Sequence, residues 1–201
     1  MTFLKKEQRP VFLVNLLAIL GYSALFISRQ NYEFILYIFV ILLVLVLVLW
    51  TNNKIGFSNK VLWGLTAWGV LHMSGGGIMI GDHVLYQQML LTLSESYQII
   101  KYDQFVHVFG FGVATLLSYE LIKPLLKEDH NKWIRLSIVI IAAGAGLGAL
   151  NEVIEFFATV ITPETGVGGY VNTSLDLVSN FIGAMIAMVW IYFSENKKPL
   201  K

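Results

Sequence analysis

The stretch Gly144-Ala-Gly-Leu-Gly148-Ala-Leu-Asn-Glu152-Val-Ile-Glu155, followed later by Asp176-Leu-Val-Ser-Asn180, decides how the fold of this chain is predicted. Residues three and four apart share one face of a helix. A single stripe is therefore formed by Gly144, Gly148, Glu152 and Glu155. Charged side chains inside a bilayer, or just beneath its face, are costly and usually functional. The stretch therefore predicts a functional site at the end of an apolar membrane helix.

The composition of the whole chain is that of an integral membrane protein. Of its 201 residues, 56% are hydrophobic and 13% are charged, whereas charged residues make up about 25% of soluble domains. The chain contains no Cys, which excludes a disulfide framework, a thiolate metal site and a Cys nucleophile. It also lacks the basic, aromatic-interleaved patch that nucleic-acid binding would need. The lipid bilayer is thus the expected partner.

Six segments are long and apolar enough to cross a membrane, which takes about 20 mostly apolar residues in a helix. They are residues 11–28, 34–50, 61–80, 105–122, 136–157 and 175–193. We therefore predict an all-α fold, a polytopic helix bundle of six transmembrane helices in a single domain, residues 1–201. The basic residues before the first segment resemble a secretory signal, but the five segments that follow favour an uncleaved first span.

Two segments have predicted positions relative to the lipid. The second span has no polar residue after Tyr37 and is predicted to face lipid on all sides. The connection 81–102 carries Leu85, Met89 and Leu93 at helical spacing. We expect it to form a short helix in the outer membrane interface.

The basic residues predict the orientation, because Lys and Arg are retained in cytoplasmic loops. With a cytoplasmic N-terminus, only Arg29 and Lys101 of the 14 Lys and Arg residues fall on the outer side. We therefore predict that the N-terminus and the C-terminus are both cytoplasmic.

Under this topology, the polar residues of four spans fall in the outer half of the membrane. They are His72 in the third span, Asp103 and His107 in the fourth, Glu152 and Glu155 in the fifth, and Asp176 and Asn180 in the sixth. Each shares a stripe with Gly or Ala, and small residues allow membrane helices to approach closely. The four stripes are predicted to converge on one polar pocket that opens to the outside.

Glu152 and Glu155 carry the strongest functional signal. Two carboxylates one turn apart in a low dielectric cannot both stay ionised unless a proton, a charged His107 or a metal compensates them. Carboxylates and imidazole without thiolate suit Mg, Mn, Fe or Zn. The predicted catalytic residues are Glu152, Glu155, His107, Asp103 and Asp176, and the predicted ligands of a divalent metal are His107, Glu152, Glu155 and Asp176.

Some of these residues also have structural interpretations. Asp103 suits a helix cap, and Thr173 with Asp176 resembles a capping box. His72 and Asn180 suit interhelical hydrogen bonds. We assign these last two residues supporting positions in the site.

The same residues resemble the YjdF-like family of uncharacterised bacterial membrane proteins and, more distantly, VanZ-like proteins. The matching motifs are His72-Met-Ser-Gly-Gly, Tyr102-Asp103-x-x-x-His107, Asn151-Glu152-x-x-Glu155 and Asn172-Thr173-x-x-Asp176-x-x-x-Asn180-x-x-Gly183. The resemblance covers residues from about 61 to the C-terminus and implies a multi-span protein of the bacterial plasma membrane. It also implies an acidic residue before Asp176 that this chain lacks. VanZ-like members are associated with reduced sensitivity to a glycopeptide antibiotic that acts at the outer face.

Three functions fit these observations. The first is an intramembrane enzyme that acts from the outer side on a lipid or lipid-linked head group, with Glu152 or Glu155 as general base and His107 as acid or metal ligand. The second is a protein that binds or transports a cation, a proton or an amphiphile, although the chain lacks the repeats of many transporters. The third is a structural or accessory membrane protein whose polar pocket only joins helices.

Overall fold

The computed structural model describes residues 5–94, 96–126, 132–162 and 165–196, and this part of the chain forms six α-helices. They are α1 (Arg9–Ser28), α2 (Tyr32–Ile55), α3 (Asn59–Gly77), α4 (Tyr102–Ile122), α5 (Lys132–Ile161) and α6 (Tyr170–Asn196). The predicted all-α fold class is confirmed. Residues 127 and 197–201, which contribute basic residues to the predicted orientation, lie outside the described part.

Five of the described helices are long and apolar enough to cross a membrane, namely α1, α2, α4, α5 and α6. The predicted third span, α3, has 19 residues but is less apolar than the others, because it contains His72 and a run of three glycines at its end. Five of the six predicted spans thus have the length and composition of a membrane helix. The sixth span and the cytoplasmic position of both termini remain predictions.

Small residues bring α4, α5 and α6 into close contact. A Cβ atom on Gly148 of α5 would lie only 2.6 Å from the Cβ of Asn180 on α6. A Cβ on Gly183 of α6 would overlap the backbone carbonyl oxygen of Val108 on α4. Because only glycine allows these approaches, the glycine stripes seen in the sequence do mark the helix contacts. They also bring the polar ends of the three helices together.

The helix α3 runs parallel to α1 along its length. In the middle of both helices, Asn15 Nδ2 donates a hydrogen bond of 2.6 Å to Thr66 Oγ1. At the far end, the Arg29 guanidinium donates a hydrogen bond of 2.7 Å to the carbonyl oxygen of Gly77. The two helices therefore begin and end at similar depths.

The prediction that α2 faces lipid on all sides is wrong at both of its ends. Near its start, Phe34 and Tyr37 are buried in an apolar cluster with Phe26 of α1. Near its end, Asn52 Nδ2 donates a hydrogen bond of 2.9 Å to Gln8 Oε1, and both side chains are buried. Aromatic packing and one amide pair hold the helix against the bundle, and a polarity pattern does not reveal such contacts.

The connection between α3 and α4 forms two β-hairpins, so the predicted interfacial helix is wrong. Strand β1 (Met79–Ile80) pairs with β2 (His83–Val84), and β3 (Met89–Ser94) pairs with β4 (Ile99–Lys101). Gly81 has a φ of 61°, the left-handed conformation that favours glycine in a tight hairpin turn. This turn stops any helix, and the β-branched pair Ile99 and Ile100 favours a strand.

Candidate functional site

His107 on α4 is the centre of a polar cluster formed by α4, α5 and α6. Its Nδ1 atom lies 2.9 Å from Asn180 Oδ1 and 3.6 Å from Glu152 Oε1. Its Nε2 atom lies 3.6 Å from Asp103 Oδ1 and 3.9 Å from Glu155 Oε1. One buried imidazole is thus surrounded by side chains from three helices.

Asp176 joins the cluster from the first turns of α6. The Asn172 side chain bridges two carboxylates, because its Nδ2 atom donates to Asp176 Oδ2 at 2.6 Å and to Asp103 Oδ2 at 3.3 Å. Asp176 is almost fully buried, at 1% exposure, whereas Asp103 is partly exposed. The cluster therefore has its open side at the N-terminal end of α4.

Two groups of three residues, both containing the imidazole of His107, are each compact enough to hold a metal ion. In the described residues, two groups have all their ligand atoms within 4.8 Å of one another. One contains Asp103, His107 and Asp176, and the other contains His107, Glu152 and Glu155. The nitrogen and oxygen atoms in these groups are ligand types that divalent ions such as Mn, Fe or Zn accept.

Several buried atoms of the cluster have no hydrogen-bond partner among the described residues. They are both carboxylate oxygens of Glu152, Oδ1 of Asp176 and Nδ2 of Asn180. Glu152 is only 8% exposed. Burying an unpaired polar atom is costly, and burying an unpaired charge is more so. The oxygens of Glu152 and Asp176 therefore require protons or a cation.

Two amide side chains that the sequence analysis did not assign to the site, Asn151 and Asn172, donate hydrogen bonds to its carboxylates. Asn151 Nδ2 donates a hydrogen bond of 2.7 Å to Glu155 Oε1. Lys101 Nζ lies 3.5 Å from Asn172 Oδ1, which places one positive charge at the edge of the cluster. Asn151 and Asn172 stand in the quoted motifs beside the acids, and this position was the available signal.

Glu33 is a further buried carboxylate on the same side of the bundle, in the first turn of α2. Its Oε1 atom accepts a hydrogen bond of 3.2 Å from the Tyr37 hydroxyl, and its Oε2 atom accepts one of 2.7 Å from the backbone N–H of Gly166. Both of its oxygens are therefore satisfied by the protein. Glu33 is better explained as an anchor for residues 165–169 than as a ligand.

His72 of α3, which the sequence analysis placed as a supporting residue, belongs to neither group of candidate ligands. Its Nδ1 atom is hydrogen-bonded to the Tyr86 hydroxyl, and its ring lies edge-on to Tyr37 with centroids 5.3 Å apart. Burial raises the pKa of the Tyr86 phenol well above its ordinary value, so the phenol stays protonated and donates this hydrogen bond. His72 thus belongs to an aromatic wall beside the cluster.

The structure brings together every other residue that was predicted for the site. These residues are Asp103, His107, Glu152, Glu155, Asp176 and Asn180. The comparison with known proteins gives one match. No curated protein and no solved structure matches the chain. A family model described as "Predicted membrane protein (DUF2238)" matches residues 9–197. Because this match covers all six helices and every residue of the cluster, the chain belongs to the DUF2238 family of predicted membrane proteins.

Proposed function

We propose that the cluster binds a divalent metal ion and that the protein is a membrane enzyme acting on the head group of a lipid or lipid-linked substrate. The unpaired oxygens of Glu152 and Asp176 carry this proposal. They are buried and no described group is their hydrogen-bond partner, so a cation would satisfy them. His107 Nδ1 lies 3.6 Å from Glu152 Oε1, but it already donates to Asn180 Oδ1. A purely structural pocket has less support, since unpaired buried carboxylates would destabilise the bundle.

His107 is suited to bind the ion through Nε2. Asn180 Oδ1 is 2.9 Å from Nδ1, so it accepts the proton of that nitrogen and leaves the lone pair of Nε2 free. Metal-bound histidines are usually oriented by such a hydrogen bond from their other nitrogen. The Nε2 atom faces Asp103 and Glu155, which are the partly exposed carboxylates.

Some of the carboxylates would then bind the metal ion, and another would transfer a proton. A bound divalent ion would polarise a head-group oxygen or lower the pKa of a water molecule. Glu152 or Glu155 would accept the proton as general base. Asn151 and Asn172 would fix the orientation of the carboxylates that they bond.

The proposed enzyme faces the extracytoplasmic side of the plasma membrane, with six spans and both termini in the cytoplasm. The position of the Lys and Arg residues supports this orientation. A sixth span is supported by α3, since its 19 residues are about 28 Å long against about 30 Å of hydrocarbon core. The resemblance to YjdF-like and VanZ-like proteins would place it in a bacterial plasma membrane.

Binding or transport of a cation or proton would use the same carboxylates and is the competing function. It has less support, because the cavity beneath the cluster is lined mainly by Val, Leu and Ile side chains. An ion crossing the bundle there would lose most of its hydration, because few polar side chains, such as Asn15 and Thr66, interrupt the apolar lining. Ion-dependent uptake into proteoliposomes, lost in Glu152→Gln, would favour transport over the enzyme.

Metal analysis of the purified protein tests the proposal. Wild-type protein is expected to carry about one divalent ion per chain, since the two ligand groups share His107 and like-charged ions repel. The double variant Glu152→Gln/Glu155→Gln is expected to lose it. Glu7→Gln is the matched control, because Glu7 is exposed on the first helical turn and far from the cluster in the predicted topology.

The enzymatic part is tested by incubating wild type and Glu152→Gln with a bacterial lipid extract and comparing the products by mass spectrometry. A product that forms only with the wild type, and stops on addition of a chelator, would support a metal-dependent enzyme. Absence of metal from the wild type would contradict the metal centre. Equal product formation by Glu152→Gln would contradict the role of Glu152.

A further inference from the structure

An apolar cavity of about 110 Å³ lies between α2 and the helices α1, α3 and α5. Its walls are mainly Val, Leu and Ile side chains, and its two ends are polar. Tyr37, His72 and Asn151 line the end near the carboxylate cluster, and Gln8 and Asn52 line the opposite end. We call this space the α2 cavity.

The α2 cavity exists because α2 is held against the bundle at its two ends. The outer end is fixed by Phe34 and Tyr37 in the apolar cluster with Phe26. The inner end is fixed by the mutual hydrogen bonds between the buried amides of Gln8 and Asn52, at 2.9 and 3.4 Å. Between these two contacts the apolar side chains of α2 face open space, and the lipid-facing side of the same helix is exposed.

The α2 cavity leads directly to the candidate site. Asn151 lines the cavity and also donates its hydrogen bond to Glu155 Oε1. Tyr37 lines the cavity and donates to Glu33 at its upper edge. A ligand chain lying in the cavity would therefore end beside the polar cluster.

The size and surroundings of the cavity indicate what fills it. The helical rise places Tyr37 about 22 Å from Asn52 along α2, which exceeds the thickness of about 15 Å of one hydrocarbon leaflet. The volume of this partly open cavity is about 110 Å³, which is less than the roughly 150 Å³ of an engineered apolar cavity that binds benzene. A volume of this size, spread along the length of α2, suits part of one extended chain better than a ring system or a second chain.

We propose that the α2 cavity binds one acyl chain of a membrane lipid, whose head group then lies at the Glu152, Glu155 and His107 cluster. The inference rests on the proposed function, since it names the substrate as an amphiphile held by a single hydrocarbon chain. Three of the four helices around the cavity, α1, α2 and α5, are long and apolar enough to cross a membrane, so lipid chains are the surrounding solvent. An apolar chain in the cavity gains contacts that an empty space would forfeit.

Gly69 offers a way to fill the α2 cavity without disturbing the bundle. It lines the cavity, and a Cβ atom built on it has no heavy atom of a neighbour within 4 Å. Gly69→Leu would therefore occupy the space with a side chain and meet no backbone. Gly21→Leu is the matched control, because Gly21 is exposed on α1, also has no neighbour within 4 Å of an added Cβ, and does not line the cavity.

A second blocking variant comes from the opposite wall. Leu45 of α2 lines the cavity and is half-buried, whereas Leu47, two residues on, is exposed and does not line it. Leu45→Trp should therefore block the chain, and Leu47→Trp should not. If both blocking variants lose lipid and both controls keep it, the loss is not caused by misfolding of one particular variant.

The experiment measures the lipid retained by each variant. Protein from vesicles of palmitoyl-oleoyl phosphatidylglycerol is exhaustively washed in mild detergent, and bound lipid is counted by native mass spectrometry. Wild type, Gly21→Leu and Leu47→Trp should retain about one lipid each, and the blocking variants about tenfold less, since a filled cavity removes the burial of about two methylenes. Equal retention in all variants, or none in the wild type, would overturn the inference.

The metal content of the same samples separates this inference from the proposed function. Gly69→Leu is expected to keep the metal while losing the lipid, because the residue lies outside both groups of candidate ligands. A wild type that retains the lipid but contains no metal would support the chain-binding cavity and contradict the metal enzyme. Retention of a polyprenyl lipid in place of the supplied phospholipid, after expression in bacteria, would overturn the assignment of an acyl chain.

Discussion

His107 connects acids from different helices because a side-chain amide fixes one of its nitrogens. Asn180 Oδ1 lies 2.9 Å from Nδ1, and Nε2 faces Asp103 and Glu155. An imidazole oriented in this way presents its second nitrogen to a cation. The sequence predicted only that Asn180 joins helices. In the structure its side chain also orients the His107 ring, so that Nε2 faces the candidate metal site.

The residues of the cluster could be found from sequence because each stands on a stripe with Gly or Ala. Gly148 and Asn180 illustrate the rule, since the missing Cβ of Gly148 leaves the space that the Asn180 side chain occupies. Glu33 and Asn172 were missed for a different reason. Hydropathy marks the lipid-embedded part of a helix, whereas α2 and α6 begin at Tyr32 and Tyr170, earlier than the apolar segments do.

Replacing Glu152 with Gln should stabilise the metal-free protein. Both carboxylate oxygens of Glu152 are buried without a hydrogen-bond partner in the described parts of the chain, and a neutral amide removes the desolvation of the charge and its repulsion from Glu155. The gain is expected to be about 1 to 3 kcal/mol, measured as an increase in Tm in the presence of a chelator. With a divalent metal present, the order should reverse, because only the wild type gains binding energy.

Glu7→Gln serves as the control for this comparison and should leave Tm unchanged in both conditions, since Glu7 is exposed. A Glu152→Gln variant that is less stable than wild type in chelator would mean that the carboxylate has a compensating partner without metal. In that case the unpaired oxygens would not indicate a cation.

At the scale of elements, the periodicity of the sequence gave a wrong prediction for the two hairpins between α3 and α4. Leu85, Met89 and Leu93 are spaced four apart, and an even spacing also places residues on one face of a strand. The first hairpin is followed by a short turn of 3-10 helix, Leu85–Gln87, and its Tyr86 points inward. The Tyr86 hydroxyl is bonded to His72 Nδ1, and its ring occupies the space above Gly75.

Gly75→Ala should therefore weaken the packing of the two hairpins against α3. An added Cβ on Gly75 would overlap the Tyr86 ring, so the ring must leave His72. Hydrogen–deuterium exchange should become faster for residues 79–94 and stay unchanged in α4, α5 and α6. Gly69→Ala is the control, since an added Cβ there meets no neighbour within 4 Å. Unchanged exchange in 79–94 would show that Tyr86 does not hold the hairpins.

At the scale of the whole molecule, the cluster and the hairpins lie at one end of the bundle. The N-terminus of α4, the C-terminal part of α5 and the N-terminus of α6 all contribute to that end. The opposite end holds the buried Gln8 and Asn52 pair. The direction in which the candidate site opens therefore depends on which end faces the cytoplasm, and composition alone gives that direction only through the basic residues.

The absence of Cys from the sequence allows this orientation to be tested with single cysteines. Asp82→Cys in the turn of the first hairpin should react with a membrane-impermeant maleimide in intact cells. Glu7→Cys and Asn53→Cys should react only after permeabilisation, and all three residues are exposed. Since α3 separates residue 53 from residue 82, opposite labelling of these two also tests whether α3 crosses the bilayer. If both label from the same side, α3 does not span, and the carboxylate cluster would then open to the cytoplasm or lie within a re-entrant fold.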